Sequence, residues 1–332
     1  MSLLTRPLNS LSSRERRYLK AGLIVHQRQC GIALITVMLI LAIATVAVVS
    51  MSSARQLDIR RTENQLRSAQ AWEYVYGLET WAIGRLAADT TAGKVDGLAE
   101  DWSIPLARTS VVGGTMQAQI EDLQGRINLN NLLVEGKISK DDVKRLERLL
   151  AILKLKTELV QAISDWVDAD MDVSYPHGAE DETYTRLKPA YRAANRQFAD
   201  VSELLLVQGV TRETYLKLLP YVYAVDGYAP LNINTASATV LRCLADDISA
   251  DQAESMFRAR GKPFAKVAEF LKDETVADAG IGKYGLGVSS QNFLLQGQID
   301  MGKTHLLFES QLQRDSGGAR VVKRQRQGLA HG

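Results

Sequence analysis

The sequence predicts an α+β protein in which a long N-terminal helix lies on a small antiparallel sheet and a large helical domain is inserted between strands of that sheet. Three observations support this prediction. An apolar run, residues 32–49, continues directly into an amphipathic pattern. Short alternating segments occur near residue 115 and again near the C-terminus. Between them, residues 139–276 have helical periodicity, which indicates one sheet interrupted by an insertion.

The apolar run has the composition of a membrane-spanning helix. No charged residue occurs between Arg28 and Arg55, and only Thr36 and Thr45 interrupt the run at 32–49. About 20 apolar residues cross a bilayer as a helix, the form that satisfies every backbone polar group in lipid. We expect a transmembrane helix over residues 32–54, with the preceding basic residues on the cytoplasmic side.

Two other interpretations stay open on this pattern alone. A cleaved secretory signal would have a small-residue site after its apolar core, and Ala42 and Ala44 offer one. A plain uncleaved anchor would have no processing site at all. N-terminal sequencing of the mature protein distinguishes these two interpretations from a helix that is retained after cleavage just before it.

The helical pattern continues beyond the apolar run in amphipathic form. Leu66, Ala69, Trp72 and Tyr76 recur at spacings of three or four residues. The sequence therefore predicts one helix from about residue 32 to about residue 86.

The strands are predicted from alternation and turn residues. Residues 115–120 alternate after Gly113 and Gly114, and residues 122–130 are interpreted as a turn and a second strand. Near the end, residues 290–299 and 305–313 form a strand pair about a turn at 301–303, with a last strand at Val321 and Val322.

The middle of the chain is predicted to be helical. Ser139 begins a helix with an acidic first turn, and further helices are expected at 157–168, 200–207, 211–224, 235–245, 249–259 and 264–272. Thr235 is the expected N-cap of the helix at 235–245.

The distribution of charge favours a membrane-directed N-terminus. The whole chain carries a net charge of +2, and residues 1–31 hold six basic groups against one acid. The remaining body is therefore mildly acidic, which argues against nucleic-acid binding. Only two cysteines, Cys30 and Cys243, are present, so no intrachain disulfide is expected in the body.

The densest polar cluster is a candidate metal site. Seven carboxylates fall within residues 165–182, with no Lys or Arg among them. Crowded carboxylates repel each other, and a hard cation with oxygen ligands relieves that repulsion. The spacing lacks the glycine and closing glutamate of an EF-hand, and no Cys/His pair has zinc spacing. A solvated acidic loop is the alternative.

The start of the apolar run resembles the leader junction of prepilins, in the order Gln-Cys-Gly-Ile-Ala-Leu-Ile-Thr over residues 29–36. The resemblance implies that residues 1–31 are a leader, that a prepilin peptidase cleaves between Gly31 and Ile32, and that Ile32 is then N-methylated. Most pilins have Glu at mature position five, where this chain has Thr36. An ionisable group within a bilayer is costly and usually functional, so its absence is informative.

Three further segments resemble the protein K family of minor pseudopilins of type II secretion systems. They are Asp-Trp-Val-Asp-Ala-Asp at 165–170, Gly-Ala-Glu-Asp at 178–181 and Tyr-Arg-Ala-Ala-Asn-Arg at 191–196. The resemblance implies a pseudopilin α/β domain at 55–134 and 285–325. It also implies an inserted helical domain, SAM-like or helix-hairpin-helix-like, at 135–284.

The family resemblance also implies a role and partners. We expect a subunit at the pseudopilus tip that initiates or caps assembly for export of folded proteins across the outer membrane, and that is not an enzyme. Expected partners are other minor pseudopilins, the prepilin peptidase and secreted proteins. The expected location is the bacterial inner membrane, single-pass, with the C-terminal domain in the periplasm. The expected cofactor is structural calcium, for which the candidate ligands are Asp165, Asp168, Asp170, Asp172, Glu180 and Asp181.

The sequence offers two alternative functions. Residues 231–272 resemble helix-hairpin-helix modules, so a membrane-tethered DNA-binding protein is the second hypothesis. Residues 226–272 hold six basic and six acidic groups, a balance that gives weak affinity for phosphate. For an enzyme, the chain has no Gly-rich phosphate loop and no G-x-S-x-G elbow, and nothing supplies a substrate cleft for its carboxylates.

Overall fold

A computed structural model describes residues 30–92, 95–258 and 262–327 of the chain. The expected leader, apart from its last two residues, lies outside the described residues. The chain forms two compact units, residues 1–67 and residues 68–332. Helix α1, Cys30–Ala92, contains the described residues of the first unit and the beginning of the second.

In the first unit, α1 presents apolar side chains on all sides. The large apolar residues between Ile32 and Val49 are roughly two-thirds exposed, for example Ile40 at 66%. This part of α1 has a mean hydropathy of 3.0 and enough length to cross a membrane once. A helix that is apolar all round needs lipid or other protein around it.

The second unit is built on a five-stranded antiparallel sheet. Its strands are β1 (Leu106–Val111), β2 (Gly114–Asp122), β9 (Asn292–Met301), β10 (Thr304–Asp315) and β11 (Gly318–Gln327), in that spatial order. The C-terminal part of α1 packs on one face of this sheet. Its buried positions, Ala71, Val75, Leu78, Ala82 and Leu86, recur every three or four residues against Phe293, Leu295, Ile299, Phe308 and Leu312.

Between β2 and β9 the chain forms a largely helical insertion with a core of its own. Its helices are α2 (Lys140–Ile152), α3 (Leu159–Val167), α4 (Asp181–Thr185), α5 (Arg212–Leu218), α6 (Ala238–Arg242), α7 (Ala250–Arg258) and α8 (Val267–Phe270). Six short strands pair within it: β3 (Ile127–Asn128) with β6 (Val222–Tyr223), β4 (Leu133–Val134) with β5 (Lys137–Ile138), and β7 (Leu231–Asn232) with β8 (Leu286–Gly287). The predicted α+β class, with a long N-terminal helix, an antiparallel sheet and helical parts, is confirmed.

One local prediction was confirmed in part and two were wrong. Residues 122–130 contain the predicted turn and a strand, but the strand, β3, covers only Ile127–Asn128 and pairs with β6 outside the five-stranded sheet, and the side chains of Asn128 and Asn130 bond to distant backbone groups. Helix α5 ends at Leu218 and not at residue 224, since Pro220 has no backbone N–H with which to continue the helical hydrogen bonds. The N-cap of α6 is Ser237, whereas the Thr235 hydroxyl donates to Asp122.

Candidate functional site

The predicted processing junction, between Gly31 and Ile32, lies at the first turn of α1. The helix begins at Cys30, so Gly31 and Ile32 are already in its first turn, and Ile32 is 66% exposed. The Thr36 hydroxyl donates to the carbonyl of Ala33 at 2.9 Å, and so is satisfied within its own helix. Position 36 therefore offers no charge and no free donor to a neighbouring helix.

The acidic cluster is formed where α3 ends and α4 begins. Asp165 lies in the last turn of α3 and Asp168 is its C-cap, while Glu180 is the N-cap residue of α4. All three are buried, with exposed fractions of 0%, 8% and 3% respectively. The segment between them, residues 169–178, is a loop that returns the chain to Asp165.

One carboxylate oxygen of Asp165 fixes this loop. Its Oδ2 accepts from the backbone N–H groups of Ser174, at 3.1 Å, and Ala179, at 2.8 Å. A Cβ atom on Gly178 would lie 2.1 Å from the same Oδ2, so the close approach requires glycine. The loop therefore has a defined conformation that brings Glu180 back to the end of α3.

Several buried oxygens at this point have no hydrogen-bond partner among the described residues. They are Oδ1 of Asp165, Oδ1 of Asp168, both side-chain oxygens of Glu180 and Oδ1 of Asn195. Asn195 adjoins the loop, because its Nδ2 donates to the carbonyl of Asp170 at 3.2 Å. A buried acceptor without a donor is destabilising by about 1–3 kcal/mol, and more if it is charged. Such a concentration of unsatisfied acceptors requires a positively charged or donating group among them.

The raised pKa values of two carboxyl groups also indicate that positive charge is lacking in this cluster. Burial raises the pKa of Asp168 from 3.8 to about 7, and Asp170, Asp165 and Asp172 raise it further. Burial likewise raises the pKa of Glu180 from 4.5 to about 7, with contributions from Asp168, Asp165 and Asp170. Five of the six candidate ligands therefore lie close enough to interact electrostatically.

The sixth candidate, Asp181, is engaged elsewhere. Its Oδ1 accepts from the backbone N–H of Ala193 at 3.0 Å, and its Oδ2 lies 3.5 Å from Nη1 of Arg192. Asn195 was not among the candidates, although it belongs to the family-like segment 191–196. Its backbone has a φ of 44°, an uncommon conformation in which Asn is enriched.

The donor set fits a hard cation. The unpaired oxygens of this cluster are all carboxylate or amide oxygens, the ligands that calcium and magnesium prefer. The aromatic residues Trp166, Tyr184 and Tyr191 line the adjoining core, with ring centroids of Trp166 and Tyr184 5.2 Å apart.

A second acidic group is more tightly spaced but is already bonded by protein side chains. Ligand atoms of Asp89, Asp96 and Glu100 all lie within 4.8 Å of one another, a spacing that the loop carboxylates do not reach. Arg314 binds Asp89 at 2.8 Å and Asp96 at 2.5 Å, and Glu100 accepts from Nε1 of Trp102 at 2.7 Å. Asp89, Asp96 and Glu100 therefore belong to an internal hydrogen-bonded ion-pair network. The carboxylates of the loop 169–178 and its ends are farther apart, and they would have to move closer together to bind an ion.

In the segment that resembles a helix-hairpin-helix motif, the asparagine side chains form hydrogen bonds inside the protein. The side-chain amide of Asn232 is fully buried and donates to Asp122, Ser290 and the carbonyl of Asp96, at 3.0, 2.9 and 3.1 Å. Asn234 exchanges hydrogen bonds with the backbone of Phe264. Asn232 connects the insertion to the sheet, Asn234 bonds within the insertion, and both are buried, so neither forms a polar outer surface.

Comparison with known proteins places the chain in a family. Residues 125–227 and 231–289 match two domain models described as type II secretion system (T2SS), protein K. The chain is 39% identical over 309 residues to type II secretion system protein K of Pseudomonas aeruginosa, covering 89% of this chain and 92% of that protein. It is 32% identical over 327 residues to the protein K of Aeromonas hydrophila, covering 92% and 98%.

A solved structure shares the fold. The chain superimposes with a TM-score of 0.73 and 24% identity on the crystal structure of the GspK-GspI-GspJ complex from the enterotoxigenic Escherichia coli type 2 secretion system, covering 81% of this chain and 99% of the matched chain. The fold class is thus supported from outside the sequence, and the identity of 39% with a protein K over most of both chains fixes the assignment. The chain belongs to the type II secretion system protein K family.

Proposed function

We propose that this minor pseudopilin lies at the tip of the type II secretion pseudopilus, where it initiates or caps the fibre for export of folded proteins across the outer membrane. One observation supports this above all others. The apolar half of α1 is exposed on all sides and has no ionisable group at mature position five, which is Thr36. In pilins the glutamate at this position is thought to pair with the terminal amine of a neighbouring subunit, and a terminal subunit has no use for that contact.

The bulk of the insertion supports the same position. Residues 123–291 separate β2 from β9 and form a second hydrophobic core beside that of the sheet. A subunit of a thin shaft is surrounded by neighbours, so an added domain of this size is best accommodated at an end.

Labelling tests the tip assignment. Pseudopili assembled with an epitope-tagged chain, tagged after Gln327, should carry gold label at one end only. The matched control is a tagged major pseudopilin, which should label along the shaft. Label of this chain distributed along the shaft would refute the tip position.

Processing and location belong to the same proposal. A prepilin peptidase removes residues 1–31 and the new terminus at Ile32 is N-methylated. Before assembly α1 anchors the protein in the inner membrane as a single-pass helix with the C-terminal domain in the periplasm. The basic N-terminal segment supports this orientation. Protease added to spheroplasts should digest the C-terminal domain. If the domain is digested only after the spheroplasts are lysed, it lies in the cytoplasm and the proposed orientation is wrong.

The exposed apolar half of α1 indicates which proteins this chain would bind. The matched solved structure is named as a GspK-GspI-GspJ complex, and we extend such an assembly with other minor pseudopilins to this chain. Secreted proteins would meet the complex at the tip. Co-purification of the full-length chain with its companion minor pseudopilins, reduced by charged substitutions such as Leu41→Glu, tests the packing role. The matched control Glu63→Gln, on an exposed turn of α1 after the apolar run, should leave co-purification intact.

We further propose that the acidic cluster holds a structural calcium ion. Asp165, Asp168 and Glu180 supply the buried carboxylates, Asn195 supplies an amide oxygen, and Asp170 and Asp172 contribute from the loop. The bound ion would neutralise carboxylates that repel one another and fix the loop 169–178 on the insertion. Trp166 is next to the cluster and can sensitise terbium, a luminescent substitute for calcium.

Terbium binding tests this site directly. Excitation of tryptophan should produce terbium emission that calcium competes away and magnesium displaces poorly. Glu180→Gln should abolish the emission while Glu182→Gln, an exposed neighbour paired with Arg186, should retain it. Equal emission from both variants would exclude the cluster as the site.

A further inference from the structure

The sheet and the insertion have separate hydrophobic cores that meet at a junction rich in polar contacts. One core lies between α1 and the sheet, and the other lies within the insertion. A small apolar cluster around Leu123 and Tyr223 lies between them, beside a cleft of about 500 Å³ that is lined by both the sheet and the insertion. Two bodies joined by a small, polar interface can move relative to each other. The polar contacts at this junction therefore decide how firmly the insertion is held.

Both crossings of the chain between the sheet and the insertion are bonded to the side chain of Asp122, the last residue of β2. Its Oδ1 accepts from the backbone N–H of Gln124 at 2.8 Å, on the outgoing crossing. Its Oδ2 accepts from the hydroxyl of Ser290 at 2.6 Å, on the returning crossing. The same oxygen accepts from the Thr235 hydroxyl at 2.6 Å and from the Asn232 amide at 3.0 Å, both within the insertion. One carboxyl group thus ties the sheet to the insertion where the chain passes between them.

This carboxyl group is buried without a cation. Asp122 is 4% exposed, and each of the hydrogen bonds named above comes from a neutral donor. Arg314, the cation of the adjoining ion-pair network, bonds to Asp89 and Asp96, and it forms no ion pair with Asp122 in the part of the chain that the structure describes. Glu100 is a third acid of that network. Burial and, to a smaller extent, the charge of Asp96 raise the pKa of Asp122 from 3.8 to about 6, although the hydrogen bonds oppose this rise.

The other ionisable groups beside Asp122 leave its charge uncompensated. Tyr223 is buried, and burial raises the pKa of its hydroxyl well above the usual value, with a contribution from Asp122. Glu121 and Arg126 line the same hollow of about 190 Å³ as Asp122, and they are bonded to each other at 3.1 Å. A buried carboxylate without a cation is destabilising, and uptake of a proton removes its charge.

We propose that Asp122 is a proton-controlled latch between the sheet and the insertion. When its carboxyl group is protonated, the junction stays closed, because the hydroxyls of Ser290 and Thr235 can accept a hydrogen bond as well as donate one. When the group is ionised, its buried charge weakens the closed junction, and the two crossings open more often to water. Acid therefore closes the latch, and neutral pH loosens it.

The size of the effect follows from the two states of the junction. In the open state water surrounds the carboxyl group, and its pKa returns to 3.8. In the closed state the pKa is about 6, so the closed junction binds more protons than the open one between these two values. The equilibrium constant for opening should therefore increase about tenfold from pH 5 to pH 7.5.

Hydrogen exchange of backbone amides, followed by mass spectrometry on the full-length protein in detergent and calcium, tests the latch. The N–H groups of Gln124, Ser290 and Gln291 bond to side chains of the junction, so they exchange when it opens. With labelling times scaled to the intrinsic rate at each pH, their protection should fall about tenfold from pH 5 to pH 7.5. Peptides from α2 and β10 report loosening of the whole insertion or of the sheet, and their protection should fall less than about twofold.

Two variants identify the titrating group. Asp122→Asn cannot ionise, so the protection of the junction should no longer change with pH, whatever its absolute level. Thr235→Val keeps the shape of the side chain but removes one donor to the ionised carboxylate, so the fall in protection from pH 5 to pH 7.5 should exceed that of wild type. The matched control Asp101→Asn, at an exposed position, should behave as wild type.

The proposal fails on any of three results. One is protection of the junction in wild type that does not change between pH 5 and pH 7.5. Another is a wild-type fall in Asp122→Asn, or no larger fall in Thr235→Val, either of which would assign the titration to another acid such as Asp89, whose pKa burial also raises to about 6. The third is an equal fall in the peptides of α2, which would mean that the whole insertion unfolds and not the junction alone. None of these outcomes depends on where the subunit lies in the fibre.

Discussion

The substitution Glu180→Gln should change the stability of the protein in opposite directions with and without calcium. Glu180 is 3% exposed and neither of its side-chain oxygens has a hydrogen-bond partner among the described residues. Without calcium its charge is repelled by Asp168, Asp165 and Asp170, so removing that charge should stabilise the fold. In the proposed calcium site the same charge would bind the ion, so removing it should reduce the stabilisation that calcium is expected to give.

The size of each effect follows from the site. The pKa of Glu180 is raised from 4.5 to about 7 by burial and by the neighbouring carboxylates. One unit of pKa corresponds to about 1.4 kcal/mol, so the ionised side chain destabilises the calcium-free fold by at most about 3 kcal/mol at pH 8. We expect a gain of about 2 kcal/mol from Gln, whose N–H groups can bond the unpaired oxygens of Asp165 and Asp168. Calcium at 1,000 times its Kd stabilises a single site by about 4 kcal/mol, and the variant should keep less than about 1 kcal/mol of this.

Thermal unfolding followed by circular dichroism at pH 8 measures both effects. In EGTA the variant should melt about 4 °C above wild type, at about 2 °C per kcal/mol for a chain of this size. In calcium the increase in Tm should be large for wild type and small for the variant. Asp181→Asn is the matched control, because that carboxylate is bonded to Ala193 and Arg192 and should leave the calcium response unchanged. A Glu180→Gln variant with a wild-type calcium response would refute the assignment of the cluster.

One further prediction concerns the same cluster, and two concern other parts of the molecule. In EGTA, the free energy of unfolding should fall as the pH rises from 4 to about 7, because the raised pKa values of Asp168 and Glu180 make the folded state bind more protons than the unfolded state in that window. Saturating calcium should remove this part of the pH dependence. The same pH dependence with and without calcium would contradict the site. Asn232→Ala should lower the free energy of unfolding, measured in urea, by about 3 kcal/mol, because three acceptors at the junction of the insertion and the sheet lose their donor. The control Asn64→Ala, at an exposed position, should change it by less than about 0.5 kcal/mol. Similar losses in both variants would mean that the hydrogen bonds of Asn232 do not stabilise the fold. Leu78→Ala should cost about 3 kcal/mol in the same assay by opening a cavity between α1 and the sheet, and a neutral result would contradict the packing of α1 on that face.

Elements with a strong periodic signal could be predicted from the sequence. The apolar run at 32–49 and the amphipathic segment after it specify one helix, and the described helix is Cys30–Ala92. The hairpin of β9 and β10 follows from alternation around Gly302, and it was predicted to within three residues at each end. Ser139 was predicted to begin a helix, and its hydroxyl does accept from the N–H of Asp142.

Elements that depend on distant partners could not be predicted. Strand β1 was missed because it is an edge strand, largely exposed on both faces, with an irregular register between Leu106 and Thr109. The turns at 122–132 are held by Asn128, Asn130 and Asn131, which bond to backbone groups near residues 198 and 225–229. A local pattern contains no information about those partners.

The acidic cluster could be predicted from the sequence only in part. Composition identified the carboxylates, yet it could not separate Asp181, which faces Arg192, from Glu180 beside it. That distinction depends on the direction in which each side chain leaves α4 and its N-cap. Asn195 joins the cluster only through a loop conformation with positive φ, and the sequence assigned it no role although it lies in the family-like segment 191–196.

The central claim is that the apolar helix is retained after processing and moves from lipid to the fibre. Mass spectrometry of the N-terminal peptide of the protein, purified from a secreting cell, tests it most directly. We predict a peptide that begins at N-methylated Ile32 and is absent when the prepilin peptidase gene is deleted. A mature protein that begins near Thr45 or Val48, and so has lost most of the apolar run, would contradict the claim.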